Sequence, residues 1–202
     1  KAISEINPDL LKEQDEDGWN ATTKAAYEGQ VDVIKAIYEL NSELLKEQDG
    51  KGWNAMTRAA IKGQVEVIKA IYELDSELLK EQDGKGWNAM TIAAFRGKVD
   101  VIKAIYDLDP TLLKHPDWYG NIAMTRAAQN GQVDLIKLFY NLNLFSNDDN
   151  PSDINQKLLM DCFIESLVRL QLTTSIKQLY LYFPKEIKNL MMHFLIGHVL
   201  LG

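Results

Sequence analysis

Glycine recurs at a fixed step of 34 residues through the first two-thirds of this chain. Gly18, Gly52, Gly86 and Gly120 form one series, and Gly29, Gly63, Gly97 and Gly131 form a second. The pairs Ala25-Ala26, Ala59-Ala60, Ala93-Ala94 and Ala127-Ala128 keep the same step. So do the leucine pairs 10-11, 44-45, 78-79 and 112-113. A period of this size predicts a chain built from stacked supersecondary units, four of them, over residues 7–143.

Each unit reads as two short helices. In the second unit Asn54 is a good N-cap, and residues 55–61 have adequate helix propensity. Gly63 is placed to end that helix, because glycine tolerates positive φ. Val65, Ile68, Ile71 and Tyr72 then recur at helical spacing. A helix pair this short cannot bury its apolar side alone, so neighbouring units must share one continuous core. The small Ala-Ala pairs let adjacent helices approach closely.

Bulk composition narrows the function. The chain has 202 residues, 46% apolar and 25% charged, as in ordinary globular proteins. Its net charge of −7 argues against a nucleic-acid partner, which needs clustered Lys and Arg, and against docking on an anionic membrane. The most apolar run, residues 190–201, is too short for a membrane span and reads as a buried helix. A single cysteine, Cys162, permits no internal disulfide and fits a reducing compartment. The chain begins at Lys1 without methionine, which reads as a fragment or a processed form.

The segment G-W-N-A-M-T-R-A-A-I-K-G-Q-V-E-V-I-K-A-I-Y, residues 52–72, resembles the ankyrin repeat. The resemblance covers residues 7–143. Asn20, Asn54 and Asn88 stand where ankyrin repeats usually have Thr, Ala21, Ala55 and Ala89 replace the usual Pro, and Thr23, Thr57, Thr91 and Thr125 replace the usual His. The missing His puts the family's inter-repeat hydrogen bonds in doubt. A linker one residue longer than usual, L-D-S-E-L-L-K-E-Q-D, accounts for the 34-residue step. The expected fold is all-α: an ankyrin-repeat solenoid of four helix pairs over residues 1–143, with a helical C-terminal segment over residues 144–202.

The sequence G-K-G-W-N-A-M-T occurs twice, at residues 50–57 and 84–91. The resemblance implies that the residue after the turn glycine, Trp19, Trp53 or Trp87, faces the concave groove. The fourth repeat has Asn121 there, with Trp118 and Tyr119 just before its glycine. Tyr27, Ile61 and Phe95, followed by Lys62 and Arg96, line the same groove by that analogy. Large aromatics dominate interface energetics, so this set is a candidate partner-binding surface for another protein. The competing expectation is that each indole only staples one repeat to the next. Tyr38, Tyr72, Tyr106 and Tyr140 read as packing residues, and the charged linkers around Glu77, Lys80 and Glu81 as a solvated face. The acidic balance would favour a partner with a basic surface.

After Leu144 the repeat stops, and S-N-D-D-N-P-S-D, residues 146–153, reads as a polar joint. The helical pattern beyond it reads as a cap over the exposed end of the stack. Residues 183–195, F-P-K-E-I-K-N-L-M-M-H-F-L, also resemble the opening of an F-box. That resemblance implies an adaptor-binding helix bearing Phe183, Pro184, Glu186 and Ile187, and recruitment of a cullin ubiquitin ligase. Ankyrin proteins with such a segment occur in poxviruses and intracellular bacteria, so the resemblance implies a host-directed effector acting in host cytoplasm. Otherwise a cytoplasmic binding protein is expected.

No enzyme is expected. There is no Gly-rich phosphate loop and no paired metal ligands, so neither cofactor nor metal is expected. His193 and His198 are five apart and do not share a helix face, and Cys162 sits within an apolar helical pattern typical of an inert core thiol. The chain could still be the non-catalytic part of a larger enzyme.

Overall fold

Asparagine opens the first helix of each of the first three repeats, and its side chain closes the cap. Asn20 Oδ1 accepts from the Thr23 backbone N–H at 2.8 Å, Asn54 Oδ1 from Thr57 at 3.0 Å and Asn88 Oδ1 from Thr91 at 2.9 Å. In the first and third repeats the Thr hydroxyl accepts in turn from the Asn backbone N–H, which completes a reciprocal cap. The Thr that replaces the family's His is thus a local capping residue. Each cap is buried, so its polar groups would be costly to leave unpaired.

The computed structural model describes residues 8–142. Among these are eight α-helices, four short 3-10 helices and no strand. The helices are α1 (Ala21–Glu28), α2 (Val31–Leu40), α3 (Ala55–Lys62), α4 (Val65–Leu74), α5 (Ala89–Phe95), α6 (Val99–Leu108), α7 (Ala123–Gln129) and α8 (Val133–Asn141). The 3-10 helices Pro8–Lys12, Ser42–Leu45, Ser76–Leu79 and Pro110–Lys114 carry the paired leucines. The all-α expectation holds across this range. The C-terminal helices expected beyond residue 143, with Phe183, Pro184, Glu186 and Ile187, lie outside the described residues.

The chain divides into two compact units, residues 1–123 and 124–202. In the first, α1, α3 and α5 pack side by side as one layer, while α2, α4 and α6 form a second. Ala26, Ala59, Ala60, Ala93 and Ala94 are fully buried where the inner helices meet. Ile34, Ile68, Ile71, Ile102 and Ile105 fill the space between layers, and Leu44, Leu45, Leu78 and Leu79 seal it from the linkers. Burying each such side chain contributes about 1.5–3 kcal/mol. In the second unit α8 follows α7 through the same turn: Gln132 N–H donates to the Ala127 carbonyl at 2.9 Å, as Gln64 does to Ala59. Gly63 ends α3 as expected, at φ +107°, with its N–H donating to the Ala59 carbonyl.

Hydrogen bonds between repeats arise from other side chains than the family's His. Tyr38 Oη donates to the Leu74 carbonyl at 3.1 Å and Tyr72 Oη to Leu108 at 3.4 Å, each reaching the end of the next outer helix. Gln64 Nε2 donates to the Tyr27 carbonyl at 2.9 Å, and Gln82 Nε2 to Pro116 at 3.2 Å. Asn54 Nδ2 donates to Glu81 Oε2 at 3.0 Å. Glu81 therefore faces a neighbouring repeat, whereas the linker had read as solvated throughout. Such bonds fix the stagger of one repeat on the next, at a net of about 0.5–1.5 kcal/mol each.

Candidate functional site

An aspartate builds each hairpin that presents a candidate residue. Asp49 N–H donates to the Trp53 carbonyl at 3.0 Å, and its own carbonyl accepts from Gly52 at 2.8 Å. Its Oδ1 accepts from the Lys51 N–H at 2.8 Å and the Trp53 N–H at 3.2 Å. Asp15, Asp83 and Asp117 repeat the arrangement in their own hairpins. A short carboxylate that ties down the backbone two and four residues on is an efficient turn former. These aspartates keep the 34-residue step, so the signal was present in the sequence, hidden within an otherwise charged linker.

The second oxygen of Asp49 carries the feature that spacing did not reveal. Asp49 Oδ2 accepts from Nε of Arg58 and forms an ion pair with its guanidinium, and both side chains are buried. The guanidinium lies 3.6 Å from the centroid of Trp19 and 4.5 Å from that of Trp53. Arg58 is thus held between the indoles of consecutive repeats while its charge is met by a carboxylate. Stacking over an indole contributes about 0.5–2 kcal/mol, and the planar guanidinium suits it better than an ammonium would. In the third repeat Ile92 takes the place of Arg58, and Asp83 Oδ2 accepts instead from Trp53 Nε1 at 3.2 Å.

Stapling of repeats is therefore real for Trp19 and Trp53. Trp19 meets Tyr27 edge-on at 4.9 Å as well as Arg58. Trp53 reaches forward to Asp83 through its indole N–H. Trp87 meets Phe95 of its own repeat at 5.0 Å. All three indoles are half-buried, and so are Tyr27, Ile61 and Phe95.

A groove of about 570 Å³ opens between the second and third hairpins. Of the residues expected on a binding surface, it brings together Trp53, Trp87, Phe95 and Arg96. It adds Lys51, Lys85, Gln48 and Ile92, which the spacing argument did not select, and Asp83 at its base. Trp19, Tyr27, Ile61 and Lys62 lie outside it. Trp118 and Tyr119, at the fourth hairpin, are 68% and 71% exposed, the most open aromatic side chains among the described residues. The Trp118 N–H faces the Lys85 carbonyl at 3.4 Å, so the third and fourth hairpin tips adjoin. The groove has an aromatic floor, cations at its rim and no cluster of metal-ligating side chains. No group of three or more such side chains occurs among the described residues.

Residues 2–81 match the family model described as ankyrin repeats (3 copies). This stretch is ankyrin-repeat sequence. With their helix pairs, hairpin turns and absence of strands, the described residues have the all-α fold of an ankyrin solenoid. The helix-hairpin pattern continues past the matched residues through α5 and α6 of the first unit. No curated protein matches the chain. Ankyrin repeats are generic protein–protein interaction modules, typically non-catalytic. No helix among the described residues is long and apolar enough to cross a membrane.

Proposed function

We propose that this chain binds a partner protein through the groove between its second and third hairpins, with Trp53, Trp87 and Phe95 as the apolar floor. One observation carries the proposal: three large aromatic side chains line an open groove, each only half-buried by its own fold. Closing that groove with a partner's side chain would remove the remaining aromatic surface from water, at roughly 25 cal/mol per Å². The hairpin carboxylates fix the floor in advance, so little ordering is needed on binding. Trp118 and Tyr119 extend the surface at the adjoining hairpin tip. Trp19, Tyr27, Ile61 and Lys62 belong to a flanking surface, where Trp19 acts chiefly through Arg58.

The test follows from which indoles also hold the repeats together. Replacing Trp19 or Trp53 strips Arg58 of a stacking partner, so loss of binding would be confounded with loss of fold. Trp87→Ala with Phe95→Ala empties the floor and leaves the Arg58 sandwich intact. The double variant is expected to keep its helical content and lose partners captured by the unaltered chain from cytosolic extract. Undiminished capture by a folded double variant would refute the groove. The cullin-ligase and effector readings rest on residues 183–195 and on resemblance, and the groove proposal uses neither.

A further inference from the structure

The charge of the groove is opposite to that of the chain. Net charge is −7, yet Lys51, Lys85 and Arg96 line the groove, and Lys62 stands in the same row as Arg96 one repeat earlier. None of these four has an ion-pair partner among the described residues, a condition that Lys35, Lys103 and Lys114 share elsewhere on the surface; what sets the groove cations apart is their convergence on one aromatic floor. Two of the groove cations lie over aromatic rings, Lys51 Nζ at 6.0 Å from Trp53 and Arg96 Cζ at 5.6 Å from Phe95, and outside the groove Lys62 Nζ lies 4.9 Å from Tyr27. A ring attracts the charge but takes up few of its N–H donors, which stay open to an incoming carboxylate.

The carboxylate that does line the groove is already engaged. Asp83 Oδ1 accepts from the Lys85 and Trp87 backbone N–H groups, and Oδ2 from Trp53 Nε1. The first repeat carries the contrast: Glu16-Asp17 stands where the next two hairpins have Gly50-Lys51 and Gly84-Lys85, and Glu28 stands where they have Lys62 and Arg96. The sign of charge therefore changes along the repeats, from acidic in the first to basic in the second and third.

Resting on the groove reading above, we infer that the partner presents an acidic peptide segment: an apolar side chain seated between Trp53 and Trp87, flanked by carboxylates that meet Lys51, Lys85 and Arg96. The acidic first repeat repels the same segment and so fixes where along the stack it lies. A uniform polyanion such as nucleic acid would meet that repulsion without the apolar anchor, which is why a peptide is favoured. The expectation from net charge alone, a basic partner, is reversed at the groove.

Selection of short peptides from a random displayed library against the immobilised full chain tests this. The expected winners carry Asp or Glu on both sides of Leu, Phe or Trp. Their binding should weaken about tenfold, about 1.4 kcal/mol in all, when the three exposed cations Lys51, Lys85 and Arg96 are all changed to Gln. All three side chains are exposed, so the variant keeps the fold, checked by its helical content and unfolding midpoint. Apolar winners without acidic flanks, lost on Trp87→Ala, would overturn the charge assignment and leave the groove standing. Winners indifferent to Trp87 and Phe95 would overturn the groove itself. A single-stranded oligothymidylate that displaces the winners and binds through the same three cations would overturn the peptide assignment.

Discussion

The guanidinium of Arg58 lies over the indole of Trp19, one repeat away, 3.6 Å from its centroid, and is closer to it than to Trp53 of its own repeat. Arg58 and its carboxylate partner Asp49 are both buried, so the pair works as a rivet between the first and second hairpins.

Removing one member of a buried pair leaves the other uncompensated, at a cost of about 3–5 kcal/mol. Asp49→Ala also removes the acceptor for the Lys51 and Trp53 N–H groups, so it should fall at the upper end. Arg58→Ile should cost less. The third repeat already has Ile at that place, and Trp19 Nε1 would then serve Asp49 Oδ2 as Trp53 Nε1 serves Asp83. Urea unfolding of the two variants checks the order, and an equal or larger cost for Arg58→Ile would contradict it.

Gly86 and Gly120 occupy equivalent turns with the same left-handed backbone, φ +77° and +75°. A Cβ on Gly86 would lie 2.5 Å from the backbone nitrogen of Trp118, while one on Gly120 would meet nothing within 4 Å. Gly120→Ala should therefore cost only backbone strain, about 1–2 kcal/mol. Gly86→Ala should add an overpacking cost of about 1–3 kcal/mol and displace the fourth hairpin tip. Unfolding midpoints measure the difference, and Trp118 fluorescence should shift in the Gly86 variant alone.

Asp109 caps the 3-10 helix Pro110–Lys114 and is held below the usual aspartate range. The main cause is the Thr111 hydroxyl, which donates to Oδ1 at 2.6 Å; burial opposes it, and the Thr111 N–H at 3.0 Å and the Lys80 ammonium at 3.8 Å add to it. A lowered carboxylate pKa contributes stability that is present above the unfolded-state value and lost as pH falls through the folded one. Thr111→Val should thus lower the thermal midpoint at neutral pH, and the gap to the unaltered chain should narrow as pH drops below the aspartate range. A gap independent of pH would assign the loss to packing.

Much of the fold was legible because it depends on periodic features. The glycine steps, the Ala pairs and the Asn caps each act within one repeat and recur at the same place in the next, so one-dimensional spacing finds them. What spacing missed depends on contacts across repeats. Lys24, Arg58, Ile92 and Arg126 occupy one position, and nothing in that series marks Arg58 as buried. Its burial comes from Trp19 on one side and Asp49 below. Likewise the Thr that replaces His read as a lost inter-repeat bond, because the tyrosine and glutamine bonds that serve instead join residues 34 or more apart. The groove was half legible. Trp53, Trp87 and Phe95 stood out as aromatics, but no periodic feature singles out Lys51 and Lys85, which reach the groove only through the hairpin fold.

The most direct test of the groove places a photo-reactive benzoylphenylalanine at Phe95, in its floor, and separately at Glu39, exposed on outer helix α2. Both chains are irradiated in cytosolic extract and the adducts compared. Groove binding predicts a discrete adduct from position 95, absent from position 39 and abolished by Trp87→Ala in the same chain. Identical adducts from both positions, or none from position 95 in a chain that still captures its partner, would contradict it.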